Sequence, residues 1–140
     1  MEENTKRALI ICVDLDDDVG SKTGLETPII GRDNVLKAAE KLALVDPEEA
    51  DSNAMFASIR LSDELFQKGY LTEVSVIGGV SDGGLEASRK AMDEIRRVAK
   101  SFNPSEVYVV TDGFGEEDIE PIIRARLPLT GVKRVVLKQS

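Results

Sequence analysis

Residues 7–14 constrain this chain more than any other stretch. An unbroken apolar run, Ala8-Leu9-Ile10-Ile11-Cys12-Val13, delivers Asp14 and then the acids Asp16, Asp17 and Asp18. A run that is apolar at every position has no solvent face. It predicts a strand covered on both sides, as in a parallel sheet with helices above and below. The acids mark where that strand opens at its carboxyl end into an acidic loop. With 140 residues, the chain suits one α/β domain with a substantial core.

The rest of the pattern supplies the partners. Residues 73–77, 106–111 and 132–138 read as strands two, three and four. Between them, helical spacing recurs over about 33–44, 46–68, 84–101 and 116–127. Asp33 or a neighbour caps the first of these helices, and Asp46-Pro47-Glu48-Glu49 reads as the start of the second. Residues 15–32 read as a long loop, a length usually tied to function or mobility. Strands alternating with helices imply right-handed βαβ units. Strands one and three are the continuous apolar runs and belong in the centre. Strands two and four carry polar residues and belong at the edges. The expected architecture is a three-layer Rossmann-like or flavodoxin-like domain with a four-stranded parallel sheet ordered 2-1-3-4. Its switch point, where open α/β sheets bind ligands, falls between strands one and three. Asp14, the Asp16–Asp18 loop and Asp112 meet there.

Composition removes several chemistries. The chain has no His, which excludes His-ligated zinc, Ser-His-Asp triads and His bases. Its one cysteine, Cys12, forms no internal disulfide and reads as a small buried hydrophobe. Aromatic residues make up 4%, with no Trp, so a base-stacking platform is not expected. The net charge of −8 argues against nucleic acid or an anionic membrane as partner. No apolar run approaches the ~18 residues of a membrane span, and the N-terminus is not a signal peptide. The segment reads as cytoplasmic. It stops directly after a strand with no closing helix, as a piece cut from a longer protein would.

The acids are the leading functional candidates. Hard cations such as Mg²⁺ take oxygen ligands, and two or three carboxylates suffice when water and phosphate complete the shell. Asp14, Asp16 and Asp112 form the expected metal set, and Asp16 is the candidate general base. The bland alternative is a solvated acidic loop in which one Asp caps a turn. The segment from Gly78 to Gly84 follows a strand and opens a helix. Gly79, Ser81, Gly83 and Gly84 therefore form a candidate anion loop, although neither P-loop nor dinucleotide spacing is present. A tight strand-to-helix turn explains the same glycines. Arg32 is a candidate phosphate contact, with an ordinary surface charge as its alternative. Asp51 and Asn53 are not needed for capping. Both are placed to face the site, with a solvated first helical turn as the favoured alternative, and Asn53 is the ligand-facing candidate.

Several runs are familiar: residues 13–20, Thr27-Pro28-Ile29-Ile30-Gly31-Arg32, residues 46–56, Thr111-Asp112-Gly113, residues 121–126 and residues 136–140. Together they resemble an archaeal family of unknown function whose full-length members carry a membrane-spanning C-terminal part. The resemblance implies a cytosolic N-terminal domain of a membrane protein and assigns no catalytic residue. A weaker resemblance is to phosphoryl-transfer folds with Asp-x-Asp after the first strand. Asp14-Leu15-Asp16 matches that pair, with Asp14 as nucleophile and Asp16 as acid/base. The Thr expected two residues later is Asp18. Toprim-type metal sites are a third analogy, but they want Glu where this chain has Asp14.

Two functions stand near parity. One is a ligand-binding or sensor domain of a membrane protein, with self-association into a homo-oligomer as its corollary. The other is a Mg²⁺-dependent phosphoryl-transfer or phosphohydrolase-type enzyme acting on a nucleotide or other phosphorylated small molecule. A purely stabilising or solubilising role for the acids is the third reading.

Overall fold

The computed structural model describes residues 5–48, 50–113 and 115–135. Strand β1 (Arg7–Asp14) lies in the middle of its sheet, paired in parallel with β3 (Leu71–Gly78) on one side and β4 (Glu106–Thr111) on the other. In the register, Cys12 stands between Val76 and Val110. Strand β5 (Leu129–Arg134) extends the sheet beyond β4, again in parallel. The expected order of these four strands holds.

The sheet itself needs a correction. It has five strands, ordered β2-β3-β1-β4-β5, and is mixed rather than wholly parallel. The added strand β2 (Ile29–Ile30) pairs antiparallel with Val76 and Ser75, so β3 is not the edge. The supposed loop 15–32 thus holds β2 and also a helix, α1 (Asp18–Thr23). The fourth strand starts earlier than expected, at Leu129. Residues 136–138 of the expected strand lie outside the described residues.

Alternation along β1 builds two cores. Ala8, Ile10 and Cys12 face helices α2 (Arg32–Val45) and α3 (Ala50–Gln67), packing with residues such as Val35, Leu42, Met55 and Ile59. Leu9, Ile11 and Val13 face α4 (Gly84–Phe102) and α5 (Glu116–Arg126), against Ala91, Ile95, Val98, Ile119 and Ile123. Burying an aliphatic side chain contributes about 1.5–3 kcal/mol, so a strand apolar on both faces anchors both layers.

Helix α3 begins at Ala50, not at Pro47. Asp46 instead ends α2, where its amide bonds the Leu42 carbonyl and its carboxylate receives Lys22 Nζ at 2.8 Å. The buried face of α3 is small and partly polar: Asp51, Met55, Ser58, Ser62 and Leu65. Leu85, in the first turn of α4, is 73% exposed, because Ala87, Ala91 and Ile95 take the buried face.

Beside β3, a buried carboxylate ties the connection between α1 and β2 to the sheet. Glu94 accepts hydrogen bonds from the Gly78 amide at 3.0 Å, the Thr27 hydroxyl at 3.0 Å and Lys90 Nζ at 2.7 Å. Lys90 also donates to Thr27 Oγ1 and the Gly78 carbonyl.

Candidate metal centre

The carboxyl end of β1 delivers Asp14 into the gap above the sheet, where it is nearly fully buried. Its carboxylate accepts backbone amides from Asp18 (3.1 Å) and Val19 (2.9 Å) at the start of α1. Its carbonyl accepts the amides of Asp17 and Gly79, each at 3.0 Å. Asp14 thereby fixes both the α1 turn and the β3 exit. Asp17 adopts a left-handed conformation with φ 56° and caps α1 through the Gly20 amide. Asp commonly takes that conformation in turns. The acidic run is thus partly a capping device.

Capping does not account for the rest. Carboxylate oxygens of Asp14, Asp16, Asp18 and Asp51 all lie within 4.8 Å of one another. Asp51 comes from the first turn of α3 and is 3% exposed, so the expectation of a solvated turn fails for it. Its Oδ2 is buried without a hydrogen-bond partner. The carboxyls of Asp18 and Asp112 lie within hydrogen-bonding range of Asp51. Asp112, at the end of β4, lies outside the set of four.

These surroundings disfavour negative charge. Burial raises Asp14 to about 7, against the amides of Val19 and Asp18, with Asp16 adding to the rise. Burial also raises Asp51, to about 11, and the carboxyls of Asp18, Asp112 and Asp14 push it further. Asp16 rises through burial and the charge of Asp18. Beneath them the thiol of Cys12 is pushed far up, chiefly by burial. A buried carboxylate without a donor is costly unless a proton or a cation meets it. The donors are all oxygen, which suits a hard divalent cation such as Mg²⁺ or Ca²⁺.

Arg32 forms a two-pronged pair with Asp63, at 2.9 Å for each contact. Asn53 is half-buried in the first turn of α3. In the glycine loop, the amide of Gly79 is bound to Asp14 and that of Gly83 to the Val80 carbonyl. A Cβ on Gly79 would overlap the Leu15 carbonyl oxygen, so close backbone packing explains that glycine. Ser81 is exposed. Gly83 and Gly84 line a cleft of about 270 Å³ shared with Leu15, Ser88, Gly113 and Gly115, whose rim carries Glu117 and Asp118. Asp18 and Asp51 both stand outside the metal set of Asp14, Asp16 and Asp112 expected from the sequence. The signal for Asp51 was its place in the series 51, 55, 58, 62 and 65, the stripe that α3 turns toward the sheet.

A mixed α/β domain, with helices on both faces and an acidic cluster where its central strands end, is the class these features define. The chain belongs to the family described as Domain of unknown function (DUF373), whose model matches residues 7–140. An uncharacterized protein of Archaeoglobus fulgidus is 42% identical over 134 residues, covering 96% of this chain and 39% of its own length. An uncharacterized protein of Methanocaldococcus jannaschii is 37% identical over 142 residues, covering 99% of this chain and 38% of its own length. The chain therefore spans about two fifths of the length of these relatives. No solved structure matches. No helix among the described residues is long and apolar enough to cross a membrane.

Proposed function

We propose that this is a cation-dependent ligand-binding domain, the sensor part of a longer, membrane-anchored protein. A hard divalent cation, Mg²⁺ in the first instance, is held by Asp14, Asp16, Asp18 and Asp51. Through that cation the domain binds a phosphorylated small molecule. The observation that carries the reading is Asp51, a carboxylate buried among carboxylates with one oxygen lacking any donor. The core strand order supports it, because open sheets of this flavodoxin-like order bind ligands where β1 and β4 end. The neighbouring glycine-lined cleft supports it too. Its rim is acidic, so an anion enters most readily together with a cation.

The enzymatic reading rests on Asp16, less buried than Asp14 and raised above its ordinary value by burial and the charge of Asp18, as the acid placed to act as general base. Asp14 suits ligation better than attack, since both its oxygens already hold backbone amides. Calorimetry with Mg²⁺ and Mn²⁺, alone and with nucleotides, tests the proposal. Heat of binding that Asp14→Asn abolishes is expected. Absence of binding under all these conditions refutes it, and turnover of the nucleotide would favour the enzyme.

A further inference from the structure

Asp51 is shared between the close set of acids and a further one. It completes that set with Asp14, Asp16 and Asp18. It also meets the carboxyl of Asp112, which stays outside the set yet acts on Asp16 as well. Asp51 is 3% exposed and its Oδ2 lacks a donor. A carboxylate offers two oxygens with two lone pairs each, so it can serve two neighbours at once.

The charges argue in the same direction. Five carboxyls meet here, and no Lys or Arg is among the main influences on Asp14, Asp16 or Asp51. Lys90 acts instead on Asp17, which caps α1. Once cation binding displaces the protons from all five, one divalent cation would leave a surplus of three negative charges facing an incoming phosphate. A second would leave one.

We infer that the crevice takes two divalent cations bridged by Asp51, one among Asp14, Asp16 and Asp18 and the other beside Asp112. This rests on the cation-dependent reading above. Paired cations about 3.5–4 Å apart suit a phosphate ester or anhydride, because each can hold one oxygen of the same phosphoryl group.

Mn²⁺ is the probe, read by equilibrium dialysis and electron paramagnetic resonance on the protein. Two bound Mn²⁺ per chain are expected, with the broadened spectrum of a coupled pair. Asp112→Asn should bind one, with the six-line spectrum of an isolated ion. Asp51→Asn should lose the coupling. A single uncoupled Mn²⁺ in the unmutated protein, or two without coupling, overturns the pair while leaving the cation reading standing. No bound Mn²⁺ overturns both. If Asp51→Asn fails to fold by circular dichroism, the unmutated protein and Asp112→Asn, altered at a half-buried position, decide the question.

Discussion

Glu94 and Asp51 are both buried acids, 4% and 3% exposed, at the same end of the sheet, and their surroundings are opposite. Glu94 has an amide, a hydroxyl and an ammonium group around it. Asp51 has other carboxylates around it and an oxygen with no donor. The first site is complete within the polypeptide and holds a loop in place. The second is incomplete within the described residues, which is how a site for an outside cation differs from a structural ion pair.

The largest expected effect tests the complete site. Glu94→Ala strands the Gly78 amide and leaves Lys90 without its carboxylate, so it should cost about 2–4 kcal/mol in urea unfolding. A loss no greater than that of an exposed substitution would erase the contrast. Next comes the incomplete site. At pH 8, Mg²⁺ at about a hundred times its dissociation constant should raise stability by about 2.7 kcal/mol. The expected gain in Asp14→Asn is close to none, and calorimetric melting reads both.

A smaller effect should come from Asp51→Asn without cation. An amide offers its neighbours donors without holding a proton that the unfolded state has released, and should stabilise the protein by about 1–2 kcal/mol at pH 8. Destabilisation there would mean that Asp51 has a partner after all. The pH dependence follows from the raised values of Asp14 and Asp51. Between the ordinary carboxylate value of about 4 and these higher values, the folded state holds protons that the unfolded state has released. Stability from these groups is full below about pH 4. It is lost as pH rises, through about 7 for Asp14 and on toward about 11 for Asp51. The cation-free protein should therefore melt lower at pH 8 than at pH 5, and Asp51→Asn should flatten that slope. The smallest effect belongs to Arg32→Ala, which should leave cation affinity unchanged, because Arg32 is engaged by Asp63.

The sheet was largely legible from residue patterns because β1 and β4 are apolar beyond what a half-exposed strand allows. Their central position, and so the location of the crevice, followed from that. Strand β2 was not legible. Two residues, Ile29 and Ile30, carry no periodicity, and they pair only because β3 offers an edge. Helix α1 was hidden for a related reason. Its start depends on Asp14 and Asp17 accepting amides, a tertiary arrangement that resembles an acidic loop in one dimension. Asp46-Pro47 carried the marks of a helix start, yet the residue is used to end α2 and pair with Lys22. Asp51 was misread as solvated because acids favour helix starts whether or not they are buried.

The crevice draws its acids from three distant parts of the chain: the β1 exit, the start of α3 and the β4 exit. A cation bound among the first two would act as a removable cross-link, closing the chain from residue 14 to residue 51. Such a link restrains the segments between its ends more than the sheet beneath it, much as a disulfide would. Amide hydrogen exchange should then slow on loading across α1, β2 and α2, while β1, already held on both edges, changes little. The domain would report the ligand as a change in the mobility of one layer, transmissible to whatever packs against it.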